Sequence, residues 1–465
     1  MMAQNKATLE TISLDVFDAW LSSRMRHHSI MPSLQVCIRK KGDIVFSKSY
    51  GFANAKTKRV LKNKDVFHIA SHSKTFTGCV LLILQEQKKL SLSDKIIDYI
   101  PQLKSHPDKR FAKITLCDVV SHRSGIFRDG VDSCFWTLQK PFLNKEQIIT
   151  EILSAKLVFA PDKQVKYSNI GFSLLGLVIE QVTGLSFADA MRDLVFKKLK
   201  TKSLSSDYKP NKMTSYADGH LLRVLDRDHQ PLKHAATFDM APATGFCGNA
   251  EDVSLFFYEY LHGTALISKK SQKELKATWW PVIGAGDKAQ YGLGISLTNL
   301  KGYDLVGHGG AYPGFVTQTR HIVGTDYTIS VFTNTNSDLV QWIIPSFMKI
   351  LHNVQKEFKN EKLSAIRLSP VMMNNWGSTL YILGKKKACS VWLTTWILNE
   401  FSIFNAQGKN TYMPDKKKSG YDFPGELLTI HHKKNDAFSH ITLGGASSYS
   451  EKEFLGRKLK NMLAD

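Results

Sequence analysis

Residues 67–77 read Phe67-His68-Ile69-Ala70-Ser71-His72-Ser73-Lys74-Thr75-Phe76-Thr77, and the apolar run Cys79-Val80-Leu81-Leu82-Ile83-Leu84 follows almost directly. This pattern predicts a helix from about Ser71 to Gln87 that is apolar over nearly its whole circumference. A helix of that kind is buried on all sides, so it runs through the middle of its domain with Ser71 at its N-terminal end. The i to i+3 spacing puts Ser71 and Lys74 on one helix face. A serine hydroxyl is a weak nucleophile until a base takes its proton, and a lysine becomes such a base when burial lowers its pKa. The backbone N–H groups of a helix N-terminus favour negative charge on a nearby oxygen. Ser and Lys at this spacing are common by chance. The pair gains meaning because it opens a buried helix.

Upstream of this segment, residues 10–30 carry Ile12, Val16, Phe17 and Trp20 at helical spacing. Two strand-like runs follow, Leu34 to Arg39 and Ile44 to Tyr50, joined by a turn at Lys41-Gly42-Asp43, as a hairpin at a sheet edge. Downstream, residues 90–260 read as helices and loops. A helix from Phe172 to Val182 stops at Gly184, a C-cap signal. Strands return at Gly292–Leu297, Asp304–Gly307, Val316–Ile322 and Tyr327–Asn334. A helix from about Leu339 to Phe358 is expected to kink or restart at Pro345. Strands at both ends with helices between them indicate an α+β domain on an antiparallel sheet.

Two more motifs lie in order along the chain, Tyr167-Ser168-Asn169 and His308-Gly309-Gly310, the latter followed by Ala311. A lone Tyr or His is more often a packing residue. With these, the segment 67–77 resembles the nucleophile segment of class C β-lactamases and their relatives (DD-peptidases, D-aminopeptidases, family VIII esterases and LACTB-like proteins) within the serine β-lactamase and penicillin-binding-protein superfamily. S-x-x-K is the nucleophile motif there. The resemblance implies a β-lactamase/transpeptidase-like fold, an antiparallel sheet flanked by helices plus a helical subdomain.

It also implies roles. Ser71 is the nucleophile, and Tyr167 shares the proton with Lys74 and delivers it to the leaving group. Asn169 bonds the substrate amide and Lys74. His308-Gly309-Gly310 resembles the H-x-G form of the K-T-G element, where small residues such as Gly310 let a substrate backbone lie along the strand edge. The N–H groups of Ser71 and Ala311 form the oxyanion hole. His308 stands in for a lysine and is expected to be a weaker, pH-dependent cation, which weakens the case for tight binding of β-lactam or peptide carboxylates. Softer matches are Ser121-His122-Arg123-Ser124-Gly125-Ile126, Ala243-Thr244-Gly245-Phe246 with Glu251-Asp252, and Tyr291-Gly292-Leu293-Gly294, all taken as scaffold. No acidic residue is assignable as a class A-type deacylating base.

The expected activity is that of a serine hydrolase working through an acyl-enzyme. Its substrate would be an amide or ester: a small ester, a D-amino-acid amide, a short peptide or a β-lactam. The rival is a non-catalytic member of the same fold that binds or assembles partners. Against that rival stands the presence of Ser71, Lys74 and Tyr167 together.

The polar stretch Lys356 to Lys362 marks a linker. After it come short strand-like runs at Leu380–Leu383, Ser390–Trp396, Glu400–Phe404, Leu427–His431 and Ser439–Leu443, separated by turn residues. The expected organisation is a hydrolase domain over residues 1–358 and a small all-β domain over 363–465. Gly425-Glu426-Leu427-Leu428 and Leu443-Gly444-Gly445 resemble the lipocalin-like barrel appended to some of these hydrolases.

The length of 465 residues, 43% hydrophobic content and 11% aromatics suit a large globular chain rather than a disordered one. The formal net charge is +21, but the lysines are scattered in short runs such as 385–387 and 416–418. No basic helix with interleaved aromatics and no zinc-finger spacing points to nucleic acid. The 16 histidines show no metal-ligand spacing, so no metal and no cofactor are expected. Six separated cysteines (37, 79, 117, 134, 247 and 389) fit free thiols in a reducing compartment. The N-terminal stretch lacks a signal-peptide h-region, and the longest apolar run is far short of a membrane span. A soluble, cytoplasmic protein acting on a small molecule or short peptide is therefore expected, with its oligomeric state open.

Overall fold

The computed structural model describes residues 8–27, 30–210, 214–223, 227–286, 288–394, 398, 401–415, 417, 425–435 and 437–458. By contacts the chain divides into two compact units, Ile30–Val340 on one hand and Met1–Ser29 with Gln341–Asp465 on the other.

The main elements in chain order begin with helix α1 (Leu9–His27), strands β1 (Ser33–Lys40) and β2 (Asp43–Asn54), and helices α2 (His72–Glu86), α3 (Asn169–Thr183) and α4 (Ala250–Leu261). Strands β3 (Ser296–Leu300), β4 (Tyr303–Tyr312), β5 (Phe315–Ile322) and β6 (Tyr327–Thr333) follow, then helix α5 (Ile343–Phe358).

Within the first unit, the sheet has nine strands in the order Arg59–Val60, β2, β1, β6, β5, β4, β3, Gln290–Tyr291, Trp280–Pro281, and each neighbouring pair is antiparallel. The expected hairpin is present. Lys40 pairs with Asp43 across a two-residue loop in which Lys41 and Gly42 both take positive φ, 51° and 93°. That geometry matches the right-handed twist of the strands. The hairpin is not quite at the edge, since the short strand Arg59–Val60 lies outside β2.

Helix α4 packs on β1, β6 and β5, and the Arg39 Nε–H on β1 donates to Ser254 Oγ on α4 at 3.0 Å. Helix α2 is buried at every residue from His72 to Leu84. It is held between α3 and the Ala241–Thr244 turn. Phe76 stacks on Phe246 and Phe256, with ring centroids 4.7 and 3.6 Å away. Burying a side chain of this size is worth about 1.5–3 kcal/mol.

Two expectations need correction here. The strand expected over Gly292–Leu297 is broken into Gln290–Tyr291 and Ser296–Leu300. Between them the Gly292 N–H donates to the Ile295 carbonyl at 2.7 Å, and Gly294 takes a φ of 75°. A Cβ at Gly294 would lie 2.6 Å from the Lys74 carbonyl, so the chain turns here because it must pass directly against α2. The last helix does not kink at Pro345. A 3₁₀ turn over Asp338–Trp342 leads into α5, whose third residue is Pro345. The first-turn N–H groups of a helix have no intrahelical acceptor, so proline is tolerated there.

In the second unit eight strands close into a barrel: β7 (Met372–Asn374), β8 (Gly377–Leu383), β9 (Lys387–Trp392), β10 (Phe401–Gly408), β11 (Thr411–Pro414), β12 (Leu428–His432), β13 (Phe438–Leu443) and β14 (Ala446–Ser450). Each pairs with its sequence neighbour, and β14 returns to β7 through Met372↔Ser450. This is a closed up-and-down meander, and the C-terminal part is all-β as expected. Arg367–Leu368 adds a short strand onto β8. Tyr381, Phe404, Tyr412, Leu428, Ile430 and Ile441 belong to its packed core. Of the expected strand residues, 395–396 and Glu400 lie outside the described residues.

The contact units do not divide at 358/363, because α1 and α5 group with the barrel. Phe17 and Phe347 join the two helices at 5.2 Å between ring centroids. Arg26 on α1 pairs with Glu451 at 3.0 Å, and Glu357 on α5 pairs with Lys387 of β9 at 2.7 Å. Among the described residues no single helix is long and apolar enough to cross a membrane. All six cysteines are free thiols.

Candidate active site

Ser71 is the N-cap of α2, and an N-cap serine normally accepts a hydrogen bond from the first helical turn. Here its side chain makes no such bond. Its Oγ instead accepts from the Tyr167 hydroxyl at 2.6 Å and lies 3.2 Å from Lys74 Nζ. The preceding residue, Ala70, is buried and holds a φ of 48°. That is an unfavourable backbone region for a residue with a Cβ, and it forms the turn that presents the serine.

Lys74 is fully buried. Its Nζ lies 2.6 Å from Asn169 Oδ1 and 2.7 Å from the Ala243 carbonyl oxygen. Burial pushes its pKa well below the usual lysine value, and the nearby Asp129 carboxylate works in the opposite direction. Burial likewise raises the Tyr167 phenol, so it is protonated at neutral pH.

The Tyr167-Ser168-Asn169 segment is fixed from both sides. Ser168 Oγ caps α3 by accepting from the Gly171 N–H at 2.9 Å, which sets Asn169 in the first turn. The His122 ring lies 4.3 Å from the Tyr167 ring, and its Nδ1 accepts from the Ser168 N–H at 3.1 Å. Asn169 Nδ2 donates to Asp129 Oδ1 at 2.6 Å. Asp129 also accepts from Arg128 Nε at 2.9 Å.

On the other side, β3 stops pairing with β4 at Gly307. The stretch from His308 to Tyr312 is therefore an open edge on that side. Gly310 lies against the nucleophile turn: a Cβ there would fall 2.2 Å from the Ile69 carbonyl oxygen. Ala311 is exposed on this edge.

His308 departs from expectation. It is buried, its Nδ1–H donates to the Gly309 carbonyl at 2.6 Å, and its Nε2 accepts from the Tyr291 hydroxyl at 3.0 Å. Burial, and then the Lys74 charge, lower its pKa well below the ordinary histidine value. It is a neutral imidazole with both nitrogens engaged, not a weak cation.

The structure thus brings Ser71, Lys74, Tyr167 and Asn169 into one hydrogen-bonded cluster and lays Gly310 against its turn. Two contributors were not foreseen. Asp129 reaches the cluster only through Asn169, and the Ala243 segment, taken as scaffold, touches Lys74 directly. Among the described residues no group of three or more His, Cys, Asp or Glu side chains is arranged to hold a metal ion.

The chain is similar in sequence and in fold to several known proteins. Penicillin-binding protein 4* of Bacillus subtilis (strain 168) is 27% identical over 314 residues, 64% of this chain and 67% of that one. The octameric penicillin-binding protein homologue from Pyrococcus abyssi superposes with a TM-score of 0.63 at 17% identity, over 92% of this chain and 97% of that one. The D-amino acid amidase from Ochrobactrum anthropi SV3, in complex with D-phenylalanine, gives a TM-score of 0.63 at 18% identity, over 75% and 99% of the two chains. These structural likenesses extend the sequence match to the fold. The family model described as Beta-lactamase matches residues 17–342, which takes in Ser71, Lys74, Tyr167 and His308, and the chain belongs to that family.

Proposed function

We propose that this protein is a serine hydrolase that transfers an acyl group from an amide or ester to Ser71 and then to water. The observation that carries the proposal is the pair of hydrogen bonds on one hydroxyl: Ser71 Oγ lies 2.6 Å from the Tyr167 oxygen and 3.2 Å from Lys74 Nζ.

The proton inventory favours a direction. A neutral lysine amine has two N–H bonds and one lone pair. Asn169 Oδ1 and the Ala243 carbonyl take the two N–H groups. The lone pair is then left for the Ser71 proton. Tyr167, kept protonated by burial, donates to Ser71 Oγ and cannot take that proton at the same time. Lys74 is the base for the first step.

Ser71 Oγ bonds to the substrate carbonyl carbon while its proton passes to Lys74. The negative charge on the carbonyl oxygen is met by the N–H groups of Ser71, at the helix N-terminus, and Ala311, on the open edge. The amine or alcohol leaves with the Tyr167 proton, which Lys74 replaces. Water then attacks the ester carbon and gives a proton to the Lys74–Tyr167 pair, which passes it to Ser71 Oγ as the acyl C–O bond breaks, releasing the acid and free Ser71.

The neutral His308 offers no positive charge to a substrate carboxylate. Uncharged acyl groups and D-amino-acid amides suit the site better than β-lactams. The amidase and penicillin-binding relatives set the panel: p-nitrophenyl acetate, D-phenylalanine amide and nitrocefin. Turnover of the ester or amide by wild type, lost in Ser71→Ala, is expected. Equal turnover by both proteins would refute the proposal.

A further inference from the structure

Away from the serine, β4 and β5 run on to a cavity of about 380 Å³. Volumes of roughly 300–1,000 Å³ are usual for small-molecule sites. Leu261, Trp279, Leu297 and Val306 supply apolar walls. His262 and His321 sit together at one side, ring centroids 4.1 Å apart. Lys276 stands on the lining. It also lines a neighbouring depression with His262, Lys269 and Lys273.

Two groups of this cavity are left over from folding. His262 Nε2 is buried and has no hydrogen-bond partner among the described residues, an unfavourable state for a polar atom. Lys276 forms no ion pair among the described residues. Its pKa is lowered by burial and then by the Lys269 charge, with no acidic group acting the other way. Both imidazoles are neutral, since burial lowers His262 to about 4 and His321 to about 3. His321 Nδ1 is already satisfied by Thr328 Oγ1 at 3.2 Å. The unmatched groups are therefore one cation and one neutral imidazole nitrogen beside an apolar chamber.

We propose that this cavity binds a small amphipathic monocarboxylate, with its apolar body against Trp279 and Leu297, and its carboxylate on Lys276 and His262. A charge-assisted bond to an ammonium and a bond to an imidazole N–H satisfy a single carboxylate. A dianion fits less well, because Asp304 also lines the cavity. The Asp304 carboxylate accepts from Asn299 Nδ2 at 2.7 Å.

The test is isothermal titration of the full chain with sodium 4-phenylbutyrate at pH 7.5. None of the residues involved is assigned to the serine chemistry, so the result is independent of catalytic turnover. Saturable one-to-one binding is expected. Lys276→Gln should weaken it at least tenfold, and 4-phenylbutan-1-ol should bind at least tenfold more weakly than the acid. Leu297→Trp, which fills the chamber, should abolish binding, while Ser71→Ala should leave it unchanged. Circular dichroism melts establish that the variants are folded. No saturable binding to folded wild type, undiminished binding in either cavity variant, or tighter binding of phenyl phosphate than of 4-phenylbutyrate would overturn the proposal.

Discussion

Lys74 lies 2.6 Å from Asn169, and Asn169 lies 2.6 Å from Asp129, so one carboxylate acts on the lysine through an amide. The Asp129 charge raises the Lys74 pKa against the lowering by burial. The base must be neutral to accept the serine proton, so acylation rises with pH through the Lys74 pKa. Asp129→Asn removes the opposing charge but keeps an oxygen for Asn169 Nδ2. The acid limb of the acylation rate should move to lower pH. A merely structural loss would lower the rate and leave the limb in place, and the pH profile separates the two. Tyr167→Phe should lower kcat by about 10²–10⁴, the usual range for losing a general acid–base group, with unchanged circular dichroism. The Ser71–Lys74 pair stood out in the sequence by its i to i+3 spacing, and Tyr167 and Asn169 by the resemblance of their motif to the family's. Asp129 was not, since a single acid in a loop has no pattern until Asn169 points at it. The charge of His308 was not legible either, because burial and then the Lys74 charge decide it.

At the scale of elements, α2 could be read from its apolar circumference, and the structure buries it from His72 to Leu84. The break in the Gly292–Leu297 run could not, because it answers to the backbone of α2 passing at Gly294, a contact distant in sequence. The edge of β4 is under the same kind of constraint. Gly310→Ala would place a Cβ 2.2 Å from the Ile69 carbonyl oxygen, which no flexible side chain can relieve. The strand must shift away from the nucleophile turn. The substitution should lower unfolding stability by about 1–3 kcal/mol, the range for overpacking a buried site, and slow acylation as well. Denaturant titration and acylation rate measure the two effects.

For the whole molecule, short strands after the linker signalled an all-β region, and five of the eight barrel strands were recognisable. The others, β7, β11 and β14, have only three to five residues each. Closure through Met372↔Ser450 joins positions far apart in sequence, beyond the reach of local pattern. The grouping of α1 with the barrel rests on similarly distant pairs such as Arg26–Glu451. Phe404 is wholly buried in the barrel core. Phe404→Ala should cost about 3–5 kcal/mol, read as a lower denaturant midpoint for the transition that reports on the barrel.

An activated serine at position 71 is tested most directly by intact mass after exposure to a fluorophosphonate, for wild type beside Ser71→Ala. One adduct per chain, mapping to Ser71 and absent from the variant, is the expected result. A folded wild-type protein that gains no adduct, or a variant that is labelled as fully as wild type, would contradict it.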